Sequence, residues 1–279
     1  VVLLAVSLAA ITSSVLPHPA VAQEISLDAP GLSPYWNSAV TQWESLILRY
    51  ADERDLDPDF MAAVIWKESL GRATARSAVG AVGLMQLMPR PNRPSPAELE
   101  NPWTNLFWGA RALAHTIRDG DGDLYYSLAA YNGGWGQIHL SVTRGYATGV
   151  LDCYSRAVAE RNGLSADGEW IAVFAVDGVA ASNTITVLGP HRPLARYTKR
   201  PWIQADVPTV PVGVAPHATA ITFVNEQGVE GRVHMWLLAE DGSPLALPAT
   251  QAASVSTSPT GVSSAVSAEK TLSLSLGAP

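Results

Sequence analysis

The sequence predicts a mainly α-helical domain over residues 34–162, then a small β-containing region over 166–247 and a disordered tail over 248–279. Three observations carry this. Apolar residues recur at helical spacing in one segment after another up to about residue 160. After "RNGLSADG", at 161–168, the apolar runs become short and β-rich. From about residue 249 the chain is mostly Ala, Ser, Thr and Val, too poor in large side chains to offset the entropy of ordering.

The first 22 residues, VVLLAVSLAAITSSVLPHPAVA, contain no Asp, Glu, Lys or Arg and finish in Ala20-Val21-Ala22, the A-x-A form of a cleavage site. Pro17, His18 and Pro19 cut the apolar run short of the roughly 20 residues a membrane span needs. Residues 1–22 therefore read as an N-terminally incomplete signal peptide. The expectation is an exported protein (periplasmic, cell-wall associated or secreted) with no stable membrane insertion once the signal is removed.

A first helix is expected over 34–51, capped by Ser33, with Pro34 in its first turn and Trp36, Val40, Trp43, Ile47 and Tyr50 at helical spacing. A second opens at Asp57-Pro58-Asp59, a cap, a first-turn proline and an acid at the positive end of the dipole, and stops near Gly71. A third begins at Asn101-Pro102, places Leu106, Ala110, Leu113 and Ile117 on one stripe, and ends at "DGDG", 119–122. That last motif lacks the remaining ligands of a calcium loop and reads as a helix stop and turn. Shorter helical pieces follow at 124–131, 135–142 and 145–160. Strands are expected at 170–176, 183–188, 219–224 and 231–238, the two pairs joined by the Pro-rich "VPTVPVGVAP". The basic stretch "HRPLARYTKRPW", 191–202, reads as a solvated loop; binding of anionic polymers through charge and stacking is the sharper alternative.

Charged residues make up only 15% of the 279, the net charge is −7 and no basic face is obvious, so no nucleic-acid partner is expected. Cys153 is the single cysteine, which excludes an intrachain disulfide and reads as a small buried hydrophobe. No metal-ligand spacing appears among the His and Cys residues, and no metal or other cofactor is expected.

The stretch "KESLGRATARSAVGAVGLMQLMP", 67–89, carries the candidate chemistry. On the second helix Met61, Val64, Ile65 and Glu68 share a face, so the carboxylate points where the apolar side chains point. Burial there disfavours the charged form and suits a general acid working near neutral pH. On the helix alone, a Glu turned to solvent or paired with Arg72 remains open. Gly80, Ala81 and Gly83 allow a loop to lie close to a neighbour or a ligand, and Gln86 offers a donor and an acceptor in an apolar setting, to the backbone or to a polar substrate.

This stretch resembles the first signature of the soluble lytic transglycosylase family, lysozyme-like enzymes that cleave peptidoglycan glycan strands. Relative to Glu68, the family's residues recur in register at Ser69, Ala75, Ser77, Gly80, Ala81, Gly83 and Gln86. "NPWTNLFWGARAL" resembles its second block through Asn101, Pro102, Asn105, Gly109 and Leu113, and "LAAYNGGWG" its third through Ala129, Ala130, Tyr131, Asn132, Gly133 and Gly136. "TRGYATGV" adds Tyr146. The blocks span about 60–150 in the family's order. The chain departs from the pattern at Ala73 (often Pro), at Ala112 (often Tyr), at Trp135 (often Pro) and at "RPNRPSP", 90–96, which replaces a helix continuation. Trp135 reads as a packing residue, with sugar stacking as the sharper role.

The resemblance implies a lysozyme-like fold for 34–162 and peptidoglycan as the partner. It further implies that Glu68 protonates the bond between N-acetylmuramic acid and N-acetylglucosamine and then, as base, helps the muramoyl C6 hydroxyl close a 1,6-anhydro ring. Ser77, Gln86, Met88, Tyr131 and Asn132 would line the cleft, with Tyr146 near the acid. Two alternatives stand beside it. One is a hydrolytic lysozyme, for which Asp119, Asp121 and Asp123 are the second carboxylates to check. The other is a non-catalytic wall-binding protein.

Overall fold

The computed structural model describes residues 31–179, 184–198 and 213–245. The expected signal segment 1–22 and tail 248–279 lie outside the described residues, as do Lys199, Arg200 and Trp202 of the basic stretch. Seven α-helices precede five strands among the described residues.

The expected first helix is two pieces, α1 (Ser38–Thr41) and α2 (Glu44–Asp52). Ser33 does not cap it. Its N–H donates to Asp59 Oδ1 (2.9 Å) and its hydroxyl to the Ala157 carbonyl (2.7 Å), so a tertiary clip overrides the local signal. Asn37 caps α1 instead. Helix α3 (Pro58–Ser69) starts as expected, with Asp57 accepting from the Asp59 N–H at 2.9 Å. Residues Phe60 to Ile65 are all fully buried, so α3 is the central helix, covered on every side rather than on one face.

After a long loop come α4 (Pro96–Leu99), closed by a Ser95/Glu98 capping box, and α5 (Pro102–Asp119), capped by Asn101. Helix α6 (Leu124–Gly133), a 3-10 turn (Trp135–Gln137) and α7 (Ser141–Arg161) complete the helical part. Arg161 ties the last helix to the central one. Its guanidinium lies 2.7 Å from Asp57 Oδ2 and 2.8 Å from Asp59 Oδ2, and the Tyr154 hydroxyl donates to Asp57 at 3.1 Å. Cys153 is buried on α7, and burial pushes its thiol above the usual range.

The strands β1 (Ile171–Asp177), β2 (Thr184–Gly189), β3 (Arg192–Thr198), β4 (Ala218–Val224) and β5 (Glu230–Leu238) form one antiparallel sheet ordered β3-β2-β1-β5-β4. Period-two alternation sends Ala172, Phe174, Leu188, Met235 and Leu237 into the core shared with the helices. Ile171, Val173, Ile185, Val187 and Trp236 form a second cluster on the opposite face. Strand β3 lies within the stretch expected as a solvated loop. The cause is Arg196, which pairs with Asp123 and stacks 4.1 Å from the Tyr126 ring centroid, so one of the run's cations fastens the sheet to α6. The free edge of β4 rests on the α2–α3 connection, where the Asp57 N–H donates to the Ala220 carbonyl (2.9 Å) and the Thr222 N–H to the Asp55 carbonyl (3.0 Å).

Candidate active site

Helix α3 stops where Leu70 (φ 54°) and Gly71 (φ 76°) turn left-handed. At Gly71 an added Cβ would lie 2.0 Å from the Ala39 carbonyl oxygen, which is why glycine stands there. The Trp43 indole N–H donates to the Gly71 carbonyl at 2.9 Å and fixes this exit. Glu68 therefore sits in the last turn of a helix whose preceding residues, Phe60 to Ile65, are fully buried.

From α7, the Tyr146 hydroxyl donates to Glu68 Oε1 at 2.7 Å. Burial pushes the Glu68 carboxyl from its ordinary 4.5 up to about 7, while the Tyr146 hydrogen bond, which favours the ionised form, pulls the other way. No second carboxylate among the described residues acts on it. The pairing with Arg72 left open by the sequence is not formed; the Arg72 side chain donates to the Ser69 carbonyl at 3.2 Å instead. Tyr131, on α6, donates to the Met85 carbonyl at 3.0 Å, and burial together with the Glu68 charge raises its hydroxyl well above the usual range. The Tyr146 hydroxyl is raised by the same two causes. Both phenols thus remain protonated donors beside an acid that titrates near neutrality.

The small-residue loop is held by its own polar groups. Ser77 Oγ accepts from the Ala81 N–H (2.9 Å), and the Gln86 amide donates to the Ala75 (3.0 Å) and Gly83 (2.9 Å) carbonyls. Gln86 thus takes the backbone option as a donor, while its Oε1 has no donor among the described residues. Gly83 (φ 84°) serves a close approach within the protein, since a Cβ there would come 2.1 Å from Asn105 Nδ2. Gly80 (φ 91°) faces open space. Met88 and Asn132 are exposed, and neither side chain hydrogen-bonds among the described residues. Of the expected site residues, the structure brings Glu68, Tyr131 and Tyr146 together, makes Ser77 and Gln86 struts of the adjoining loop, and leaves Met88 and Asn132 at the surface.

Asn105 was legible only as a motif match, yet it clips this loop to α5. Fully buried, it accepts from the Met85 N–H (2.8 Å) and donates to the Val82 (2.9 Å) and Leu99 (2.8 Å) carbonyls. The signal in the sequence is an amide adjoining the apolar stripe of α5, a position that demands partners. Trp135, expected to pack, is 42% exposed. Asp119, Asp121 and Asp123 lie at the α5–α6 turn. They face His115, Asn225 and Arg196 respectively. Asp123 precedes Tyr131 by eight residues of α6, about 12 Å along the helix axis.

A half-buried acid at a helix end, two phenols beside it and a loop clipped by its own amide define the class of site. Comparison with known proteins then places the chain. The model of the transglycosylase SLT domain matches residues 45–148, which include all seven expected site residues. The chain is 28% identical over 162 residues to the soluble lytic murein transglycosylase of Salmonella typhimurium, covering 46% of this chain and 25% of that protein. It is 34% identical over 116 residues to the transglycosylase of Enterobacteria phage PRD1, covering 41% of this chain and 43% of that protein. It is 30% identical over 159 residues to the endo-type membrane-bound lytic murein transglycosylase A of Klebsiella pneumoniae, covering 48% of this chain and 74% of that protein. The chain belongs to the lytic murein transglycosylase family, and spans a quarter to less than half the length of the first two relatives. No helix among the described residues is long and apolar enough to cross a membrane.

Proposed function

We propose that this chain is an exported peptidoglycan lytic transglycosylase whose catalytic unit is residues 34–162, acting in the periplasm, at the cell wall or outside the cell. Glu68, protonated, gives its proton to the glycosidic oxygen between N-acetylmuramic acid and N-acetylglucosamine as the C1–O bond breaks. The substrate's acetamido oxygen stabilises the sugar cation. Ionised Glu68 then takes the proton of the muramoyl C6 hydroxyl, whose oxygen bonds to C1 and closes the 1,6-anhydro ring. Water is not a reactant, and Glu68 returns to its starting protonation state.

The observation that carries this reading is the lone, desolvated carboxyl. Burial holds Glu68 at about 7, where it can give and retake a proton, and no second carboxylate among the described residues acts on it. A hydrolytic pair needs its carboxyls about 5–9.5 Å apart, and Asp119, Asp121 and Asp123 are engaged at the α5–α6 turn. Tyr146 orients the Glu68 carboxyl and Tyr131 braces the loop at Met85. The Ser77 hydroxyl, Gln86 Oε1, Asn132 and Met88 complete the substrate-facing set. The test is digestion of purified peptidoglycan by the wild type and by Glu68→Gln. Turbidity should clear with the first and persist with the second; equal clearing would overturn the role of Glu68.

A further inference from the structure

A second concave surface lies between α5 and the sheet. It is a groove of about 560 Å³, the size of a ligand-binding cleft, walled by α5, by Arg93, by the α2–α3 connection and by the β4 edge from Ile221 to Val224. The match to the transglycosylase SLT domain ends at residue 148, so the β4 wall lies outside the family's domain. The groove is a product of how the sheet docks in this chain: Leu56 bridges to Ile221, and the Thr222 N–H donates to the Asp55 carbonyl at 3.0 Å.

In a chain of net charge −7 the lining is basic. Trp108, Arg111, His115 and Arg118 recur at i, i+3, i+7 and i+10, one outward stripe of α5. Arg54 and Arg93 join them, against the acids Glu53 and Asp55. Glu53 is paired with Arg49 (3.1 Å), and Arg118 has Asp119 at 3.8 Å. Arg54, Arg93 and Arg111 have no carboxylate within 4.0 Å among the described residues. Aromatic rings hold two of these guanidiniums in place: Arg54 lies 5.7 Å from the Phe107 ring centroid and Arg111 lies 5.6 Å from that of Trp108. Stacking occupies the guanidinium faces and leaves the N–H edges for carboxylates; Arg54 gives one N–H to the Glu53 carbonyl at 3.3 Å.

The β4 wall adds a backbone to this charge. Strand β4 is at the edge of the sheet. Its outward groups at Ala220 and Thr222 are taken by the Asp57 N–H and the Asp55 carbonyl. By the two-residue alternation of an antiparallel edge, the next outward N–H and C=O belong to Val224, which is 54% exposed and lines the groove. An open edge residue across from guanidiniums without carboxylates is complementary to an extended acidic peptide, which has both a backbone to pair and anions to place. A nucleic acid makes no use of a strand edge, and its length would carry it onto the surface of an acidic protein.

We infer that this groove docks an extended acidic segment of a partner protein, its carboxylates on Arg54 and Arg111 and its backbone continuing the sheet at Val224. The assignment is independent of the chemistry at Glu68.

The test is selection of random heptapeptides displayed on phage against the immobilised whole chain, followed by calorimetry with the synthetic consensus peptide. The selected peptides should carry several carboxylates interleaved with apolar residues, and Glu68→Gln should select the same ones. Arg54→Gln/Arg111→Gln should bind the consensus peptide roughly tenfold more weakly, the order expected for two charge-assisted contacts. Val224→Pro, which removes the edge N–H at a strand end where proline is tolerated, should also weaken binding. Arg54→Glu/Arg111→Glu should select basic peptides instead, a gain that a folding defect cannot mimic. No consensus, a consensus without acids, binding unmoved by Arg54→Gln/Arg111→Gln or by Val224→Pro, or an oligonucleotide of the same charge held as tightly would each overturn the assignment.

Discussion

Glu68→Gln should stabilise the protein, and only at neutral to alkaline pH. Burial raises the folded carboxyl from 4.5 to about 7, so the folded state binds this proton more tightly than the unfolded state does. Below about pH 4.5 the group is protonated in both states and imposes no penalty. As pH rises from there through 7 the unfolded chain ionises first, and wild-type stability falls until the folded group has ionised too. The difference amounts to about 3 kcal/mol at about 1.4 kcal/mol per tenfold. Partial solvent access to Glu68 reduces this to about 2 kcal/mol. The amide carries no charge and keeps an oxygen for the Tyr146 hydroxyl. Thermal unfolding of both proteins at pH 4.5 and pH 8.5 should give equal Tm values at the lower pH. At the higher pH the variant should lead by about 4–8 °C. A Tm difference that does not change with pH would refute the desolvation on which the acid assignment rests.

For the wild type, kcat/KM on peptidoglycan should be level below about pH 7 and fall about tenfold per pH unit above it, as the general acid ionises. Tyr146→Phe removes the hydrogen bond that favours the ionised carboxylate, so the alkaline limb should move to higher pH while the rate drops about tenfold or more; an unmoved limb would contradict the coupling. Arg161→Ala leaves Asp57 and Asp59 facing each other in the core without their cation and should cost about 3–5 kcal/mol in urea unfolding. Gly83→Ala should cost more than about 2 kcal/mol by clashing with the Asn105 clip, whereas Gly80→Ala, also at positive φ but in open space, should cost about 1 kcal/mol.

Much of the helical part was legible because its boundaries are written in short-range chemistry. Asp57-Pro58 and Asn101-Pro102 open helices where expected, since a cap and a first-turn proline need nothing from the rest of the chain. Ser33 carried the same kind of signal, but Asp59 and the Ala157 carbonyl took its polar groups, and such partners, 26 and 124 residues away, leave no local trace. Strand β3 was missed for a related reason. Its arginines read as solvated charge until Arg196 meets Asp123 and two tyrosines of α6. At the site, periodicity could place Glu68 on an apolar face, but its meeting with Tyr146 spans 78 residues and came only through family resemblance.

The most direct test of the single-acid mechanism is digestion of purified peptidoglycan in ¹⁸O-labelled water, with the released muropeptides read by mass spectrometry. The mechanism predicts anhydro-muramoyl ends, lighter by one water than reducing products and carrying no label. Reducing muramic ends that incorporate one ¹⁸O would mean that water is the nucleophile and would contradict it.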